Sequence, residues 1–120
     1  MLDHIAIHTN ELDTLTRFYE AVLAPLGYRK LASYEDVAGF GRDKPELWIG
    51  TGESKPTPIH IALVAPGTAA VDAFYTAALA AGAKDNGPPG LRPDYSPGYY
   101  AAFVFDPDGN NLEAVHHQPA

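Results

Sequence analysis

Apolar and polar positions alternate along residues 3–9, DHIAIHT, with Ile5 and Ile7 on one side and His4, Ala6 and His8 on the other. A period of two predicts a strand, because successive strand side chains point to opposite faces. Past Asn10, read as a helix cap, the period changes. Leu15, Phe18, Tyr19, Val22, Leu23 and Leu26 recur at the three- and four-residue spacing of one helical face. Pro25 is expected to bend the last turn and Gly27 to stop it. Three short strands are predicted around 29–34, 37–41 and 46–49, separated by Gly, Asp and Pro.

A polar, proline-containing connection over 53–58 is followed by the same order of elements. Ile59, Ile61 and Leu63 alternate with His60 and Ala62, and residues 68–81 predict a helix with Val71, Phe74, Tyr75, Ala78 and Leu79 on its apolar face. A shift of 56 residues lays His4 on His60, Leu15 on Val71, Phe18-Tyr19 on Phe74-Tyr75 and Leu23-Ala24 on Leu79-Ala80; a shift of 55 lays Gly27 on Gly82. A strand histidine, a helical aromatic pair and a stop glycine in one register argue for an internal duplication. The prolines and glycines of 85–97 predict a loop rather than a strand, bearing Arg92, Asp94 and Tyr95 as groups able to close over a pocket.

Residues 99–117 predict a hairpin about Asp106-Pro107-Asp108-Gly109, a run of turn formers. Symmetric pairing about Asp108 sets Phe103 opposite Glu113, with Tyr99, Ala101, Val115 and His117 on the same face. Ala102, Val104, Leu112 and Ala114 take the other face, small and aliphatic enough to lie under a helix. Glu113 therefore falls on the face away from the helices, which the same parity gives to His4 and His60.

The bulk properties narrow the chemistry. At 120 residues the chain is one domain, 1–120, divided into module one at 1–52 and module two at 58–117. With no cysteine, any metal must be held by His, Asp or Glu. A net charge of −7 with eight scattered Lys and Arg disfavours nucleic acid as a partner, and no apolar run is long enough to span a membrane. Met1-Leu2-Asp3-His4 runs straight into the first strand pattern, so a cytoplasmic location is expected.

Taken together, LDHIAI, the helix with Phe18-Tyr19 and Leu26-Gly27-Tyr28, Ile59-His60-Ile61-Ala62 and FVFDPDGNNLEAV resemble the vicinal oxygen chelate superfamily. That superfamily includes glyoxalase I, bleomycin-resistance proteins, fosfomycin-modifying enzymes, methylmalonyl-CoA epimerases and extradiol dioxygenases. The resemblance implies an α+β fold of two tandem βαβββ modules whose mixed sheet curls into an open barrel with the helices outside. It also implies metal ligands at His4, His60 and Glu113, a small-molecule substrate and a homodimer. Aligning Leu112-Glu113-Ala114-Val115 with Leu47-Trp48-Ile49-Gly50 puts Trp48 where glyoxalase I enzymes carry a fourth, carboxylate ligand. The remaining set of two histidines and one carboxylate is similar to that of the fosfomycin-modifying enzymes and extradiol dioxygenases.

Such a set can hold zinc, manganese, iron, nickel or cobalt as a divalent ion, leaving positions for water and a bidentate substrate. The resulting expectation is a metal-dependent, glyoxalase- or dioxygenase-like enzyme chelating a small oxygen-rich molecule, with Glu113 as the least replaceable residue. His8, Trp48, Arg92, Tyr99 and Phe103 are expected to line the substrate pocket. His116 and His117, ahead of a polar tail, are expected at the surface. The alternative is a metal-independent binding protein of the bleomycin-resistance type, in which an acidic dimer sequesters a cationic compound in an aromatic groove.

Overall fold

The computed structural model describes residues 1–52 and 57–119, so 53–56 of the expected connection lie outside the described residues. Module one runs β1 (Ile5–Thr9), α1 (Leu12–Leu23), a 3-10 turn (Ala24–Leu26), β2 (Arg29–Ser33), β3 (Val37–Gly41) and β4 (Pro45–Thr51). Module two repeats that order as β5 (His60–Val64), α2 (Thr68–Ala80), β6 (Lys84–Leu91), β7 (Tyr99–Phe105) and β8 (Asn111–His117). The strand orders correspond, β1-β4-β3-β2 in one sheet and β5-β8-β7-β6 in the other. In each, the first strand runs parallel to the last and the other pairs are antiparallel. The duplication is therefore real at the level of topology. Among the described residues the sheets share no ladder; they remain two four-stranded halves, not closed into a barrel.

Burial follows the predicted parity. In β1, Ile7 is buried while Ala6 and His8 are exposed; in β5, Ile61 is buried while His60 and Ala62 are exposed. Leu15, Phe18, Tyr19, Val22 and Leu23 of α1 meet Val71, Phe74 and Ala78 of α2 in one core that also takes Ala102, Val104, Leu112 and Ala114. Burying each of the larger side chains contributes roughly 1.5–3 kcal/mol, so the core is what fixes the helices to both sheets. Gly27 and Gly82 end the two helical segments with φ of 88° and 96°, a left-handed conformation that glycine takes without steric cost. Asn10 does not cap α1. Instead Thr9 Oγ1 accepts from the Glu11 amide at 2.9 Å, and the helix starts at Leu12.

The loop expected over 85–97 is overturned in part. Residues 84–91 form the edge strand β6 despite Pro88 and Pro89. Its register with β7 jumps from Gly87–Phe103 to Gly90–Ala101, so the two prolines fall in a bulge where no ladder hydrogen bond is asked of them. An edge strand tolerates proline there because its outer side pairs with nothing.

The hairpin has the anticipated register: Phe103 faces Glu113, Ala101 faces Val115 and Tyr99 faces His117. Asp106 anchors it. Its Oδ1 accepts from the amides of Asp108 and Asn110, and its Oδ2 accepts from Asn110 Nδ2 at 2.8 Å and from the Tyr19 hydroxyl of α1 at 2.6 Å. Asn110 Oδ1 in turn accepts from the Ile59 amide just before β5. The turn thus ties the hairpin to both neighbouring elements. Among the described residues no helix is long and apolar enough to cross a membrane.

Candidate functional site

The open face of the second sheet carries Glu113 at its centre. In β8 this residue pairs with Ala62 of β5 on one side and Phe103 of β7 on the other. Its side chain is only 2% exposed although the face itself is uncovered. Neighbouring side chains enclose it: His60 Nε2 lies 2.8 Å from Oε1, and the Tyr99 hydroxyl donates to Oε2. Burial first, and then this hydrogen bond, push the Tyr99 hydroxyl from its ordinary 10 up to about 12. Tyr99 thus stays a proton donor at neutral pH and keeps one carboxylate oxygen occupied.

Aromatic rings extend the cluster. The Phe103 ring centroid is 6.3 Å from that of His60 and 5.4 Å from Arg92 Cζ. Tyr99 meets Tyr95 and His117 edge to face, each at 5.1 Å. His60, Glu113, Tyr99, Phe103 and Arg92, five of the residues singled out from the sequence, therefore converge on one face. His117 belongs beside them through the parity that set it opposite Tyr99.

His8 and Trp48 lie elsewhere, lining a recess on the first sheet with Ala6, Asp36, Val37 and Gly50. The Trp48 ring lies flat over Gly39: a Cβ at that glycine would stand 2.7 Å from Trp48 Cζ3. Trp48 pairs with Ala6 as Glu113 pairs with Ala62, so the indole occupies the module-one position equivalent to the carboxylate.

His4 joins neither group. It precedes β1, its side chain is 52% exposed, and its Nδ1 lies 2.7 Å from Asp3 Oδ1. Among the described residues no three His, Asp or Glu side chains gather closely enough to hold a metal ion. The His60–Glu113 pair by itself fits part of a metal site. Two ligands held at about 2.1 Å from one ion at a right angle stand about 3 Å apart, close to the separation observed here.

A family profile described as "Glyoxalase/Bleomycin resistance protein/Dioxygenase superfamily" matches residues 1–114. Among solved structures, a glyoxalase/bleomycin resistance protein from Albidiferax ferrireducens T118 is similar, with 27% identity, a TM-score of 0.83 and 98% of each chain covered. A glyoxalase/bleomycin resistance protein/dioxygenase family enzyme from Burkholderia phytofirmans PsJN shares the fold at 19% identity, a TM-score of 0.76 and 98% coverage of each chain. Lactoylglutathione lyase from Agrobacterium tumefaciens shares it at 18% identity and a TM-score of 0.72, over 97% of this chain and 92% of that one. No protein of curated function matches the chain.

Proposed function

Because the chain belongs to the glyoxalase/bleomycin resistance protein/dioxygenase superfamily, we propose that it is a metal-dependent enzyme acting on a small oxygen-rich molecule. The observation carrying this reading is the imidazole nitrogen and carboxylate oxygen at 2.8 Å on the open face of a sheet, with the second carboxylate oxygen already bound to Tyr99. A divalent ion held by His60 and Glu113 would polarise a substrate oxygen and stabilise the negative charge that develops on it. Glu113 supplies anionic charge to the site. Tyr99 holds Oε2, so Oε1, which faces the His60 ring, is the oxygen that would ligate. His60 stands with half its side chain open, so substrate can approach from the solvent side. Phe103 across the ladder, Tyr99 and His60 surround the carboxylate and leave its side chain 2% exposed.

The third donor, His4, comes in this reading from a second copy of the chain in a homodimer. What supports that is the separation of His4 from the other two within one chain, together with the apolar surface left exposed around the face: Val64 and Tyr95 are each 62% exposed. The partner's first sheet, laid over this face, would cover those side chains.

The test is titration of chelator-treated protein with zinc, manganese, iron(II), nickel and cobalt. About one ion per chain is expected, with binding weakened at least about tenfold in His60→Ala, as loss of a ligand from a small donor set requires. Absence of stoichiometric uptake, or uptake indifferent to His60→Ala, would overturn the reading. In that event Glu113, with both oxygens occupied inside the protein, belongs to a metal-independent binding face of the bleomycin-resistance type.

A further inference from the structure

Arg92 follows β6 at the edge of the second sheet, and its guanidinium is seated rather than loose. Nη1 donates to the Gly90 carbonyl at 2.9 Å, Nη2 donates to the Pro88 carbonyl at 2.7 Å, and Cζ lies 5.4 Å from the centre of the Phe103 ring. The seat exists because two positions lack side chains. A Cβ on Gly87 would stand 3.1 Å from Nη2 and 3.2 Å from Phe103 Cδ1, and one on Gly90 would stand 3.3 Å from Nη1. Gly87 also has a φ of +144°, which side-chain-bearing residues rarely adopt. The proline bulge of β6 turns the two carbonyls toward the guanidinium. An otherwise flexible side chain is thereby held in one place before any ligand arrives, which removes much of the entropy cost of using it.

What the seat leaves unsatisfied is the charge. A guanidinium has five N–H donors, and the two carbonyls take two of them. None of the ion pairs among the described residues includes Arg92, whose half-buried guanidinium is held by two carbonyl oxygens and a ring face. Such a charge is best completed by an anion, and a planar fork of donors matches the two oxygens of a carboxylate. Phe103 connects it to the rest of the site, since the same ring neighbours His60 and pairs with Glu113.

We propose that Arg92 is the residue that selects the substrate, binding a carboxylate carried on a flat, unsaturated frame whose other oxygens reach His60 and Glu113. The single cation favours a monovalent carboxylate over a phosphonate, which would draw several. The flat frame follows from the rings on this face, Phe103 beside both Arg92 and His60, and Tyr99 bonded to Glu113 with Tyr95 against it. Arg92 also solves an electrostatic problem: in a chain of net charge −7, with Glu113 at the centre of the face, an anionic substrate needs a fixed positive group to approach at all. This assignment rests on the proposed function for the far end of the substrate, but the anion seat itself needs no metal.

The experiment compares benzoate with benzamide, a shape-matched pair differing in charge, by NMR titration of chelator-treated protein. Wild type is expected to bind benzoate at least about tenfold more tightly than benzamide. Arg92→Gln should abolish that preference, and Arg92→Lys should retain part of it because the charge stays while the fork is lost. Arg92→Gln should take up divalent metal as wild type does, so failure of metal uptake refutes the chelation reading while leaving this one to its own measurement. The proposal is overturned if wild type does not prefer benzoate, including by failing to bind it, or if Arg92→Gln keeps the preference. Should Arg92→Gln not fold, a reduced preference in Arg92→Lys supports the planar-fork assignment and full retention overturns it.

Discussion

Trp48 shows how far one side chain depends on the absence of another. Its ring rests on Gly39, so Gly39→Ala would put a methyl group 2.7 Å from Cζ3 and 2.9 Å from Cε3. No backbone strain is involved; the cost is overpacking against a rigid flat ring, about 1–3 kcal/mol. As the chain has one tryptophan, its fluorescence reports the displacement directly, and a red-shifted emission together with a lower unfolding midpoint is expected of Gly39→Ala. Unchanged emission and stability would show that the ring has another resting place. The same scale explains what could be read from the sequence at the site. Glu113, Tyr99, Phe103 and His60 were legible on one face because strand parity and a symmetric turn fix orientation without knowledge of contacts. The seat of Arg92 was not, because it depends on glycines 87 and 90 and on where a proline bulge turns its carbonyls. Nor did the sequence indicate that Tyr99 would reach Glu113 rather than merely flank it.

Among the elements, the Asp106 turn carries the strongest coupling, because a hairpin, a helix and the start of a strand all bond to it. Burial, then the Asp106 charge and hydrogen bond, raise the Tyr19 hydroxyl well above its ordinary 10. Above pH 10 the unfolded chain releases a proton that folded Tyr19 keeps, so the native state binds more protons and stability falls as pH rises. The contribution is fully present below pH 10 and is lost progressively above it; Tyr99 adds to the decline between 10 and about 12. Tyr19→Phe should therefore cost about 1–3 kcal/mol at neutral pH, by removing a donor from a buried carboxylate, and should flatten the alkaline decline. Urea unfolding of both proteins between neutral pH and about pH 11 separates the two effects. Parallel pH profiles would mean that Tyr19 ionises in both states alike. The helices and most strands were legible because their apolar periods are long and unbroken. β6 was not, because proline content speaks for a loop unless the strand lies at an edge, and edge position is a property of the assembled sheet.

At the level of the whole molecule, the repeat explains why the site is asymmetric. Duplication placed a histidine before or at the start of each module's first strand, His4 and His60, yet only module two has a carboxylate in the equivalent position of its last strand; module one has Trp48. One sheet therefore supplies the histidine–carboxylate pair and the other supplies a histidine with a large apolar surface. The reading that a second copy brings these two unlike faces together makes a prediction that a single-chain site does not. In a two-fold dimer each site would take His4 from one chain and His60 with Glu113 from the other. His4→Ala and Glu113→Gln should each lose the tight metal site when pure. Unfolded together and refolded as a mixture, they form mixed dimers in which one site lacks both residues while the other retains His4, His60 and Glu113. Random pairing would restore about a quarter of the wild-type sites, measured as tightly bound metal per chain after gel filtration. If each chain builds its own site, mixing restores nothing, since every copy carries a damaged ligand set. The restored fraction should also fall on dilution below the dimer dissociation constant, because metal that binds only the assembled form stabilises it by mass action.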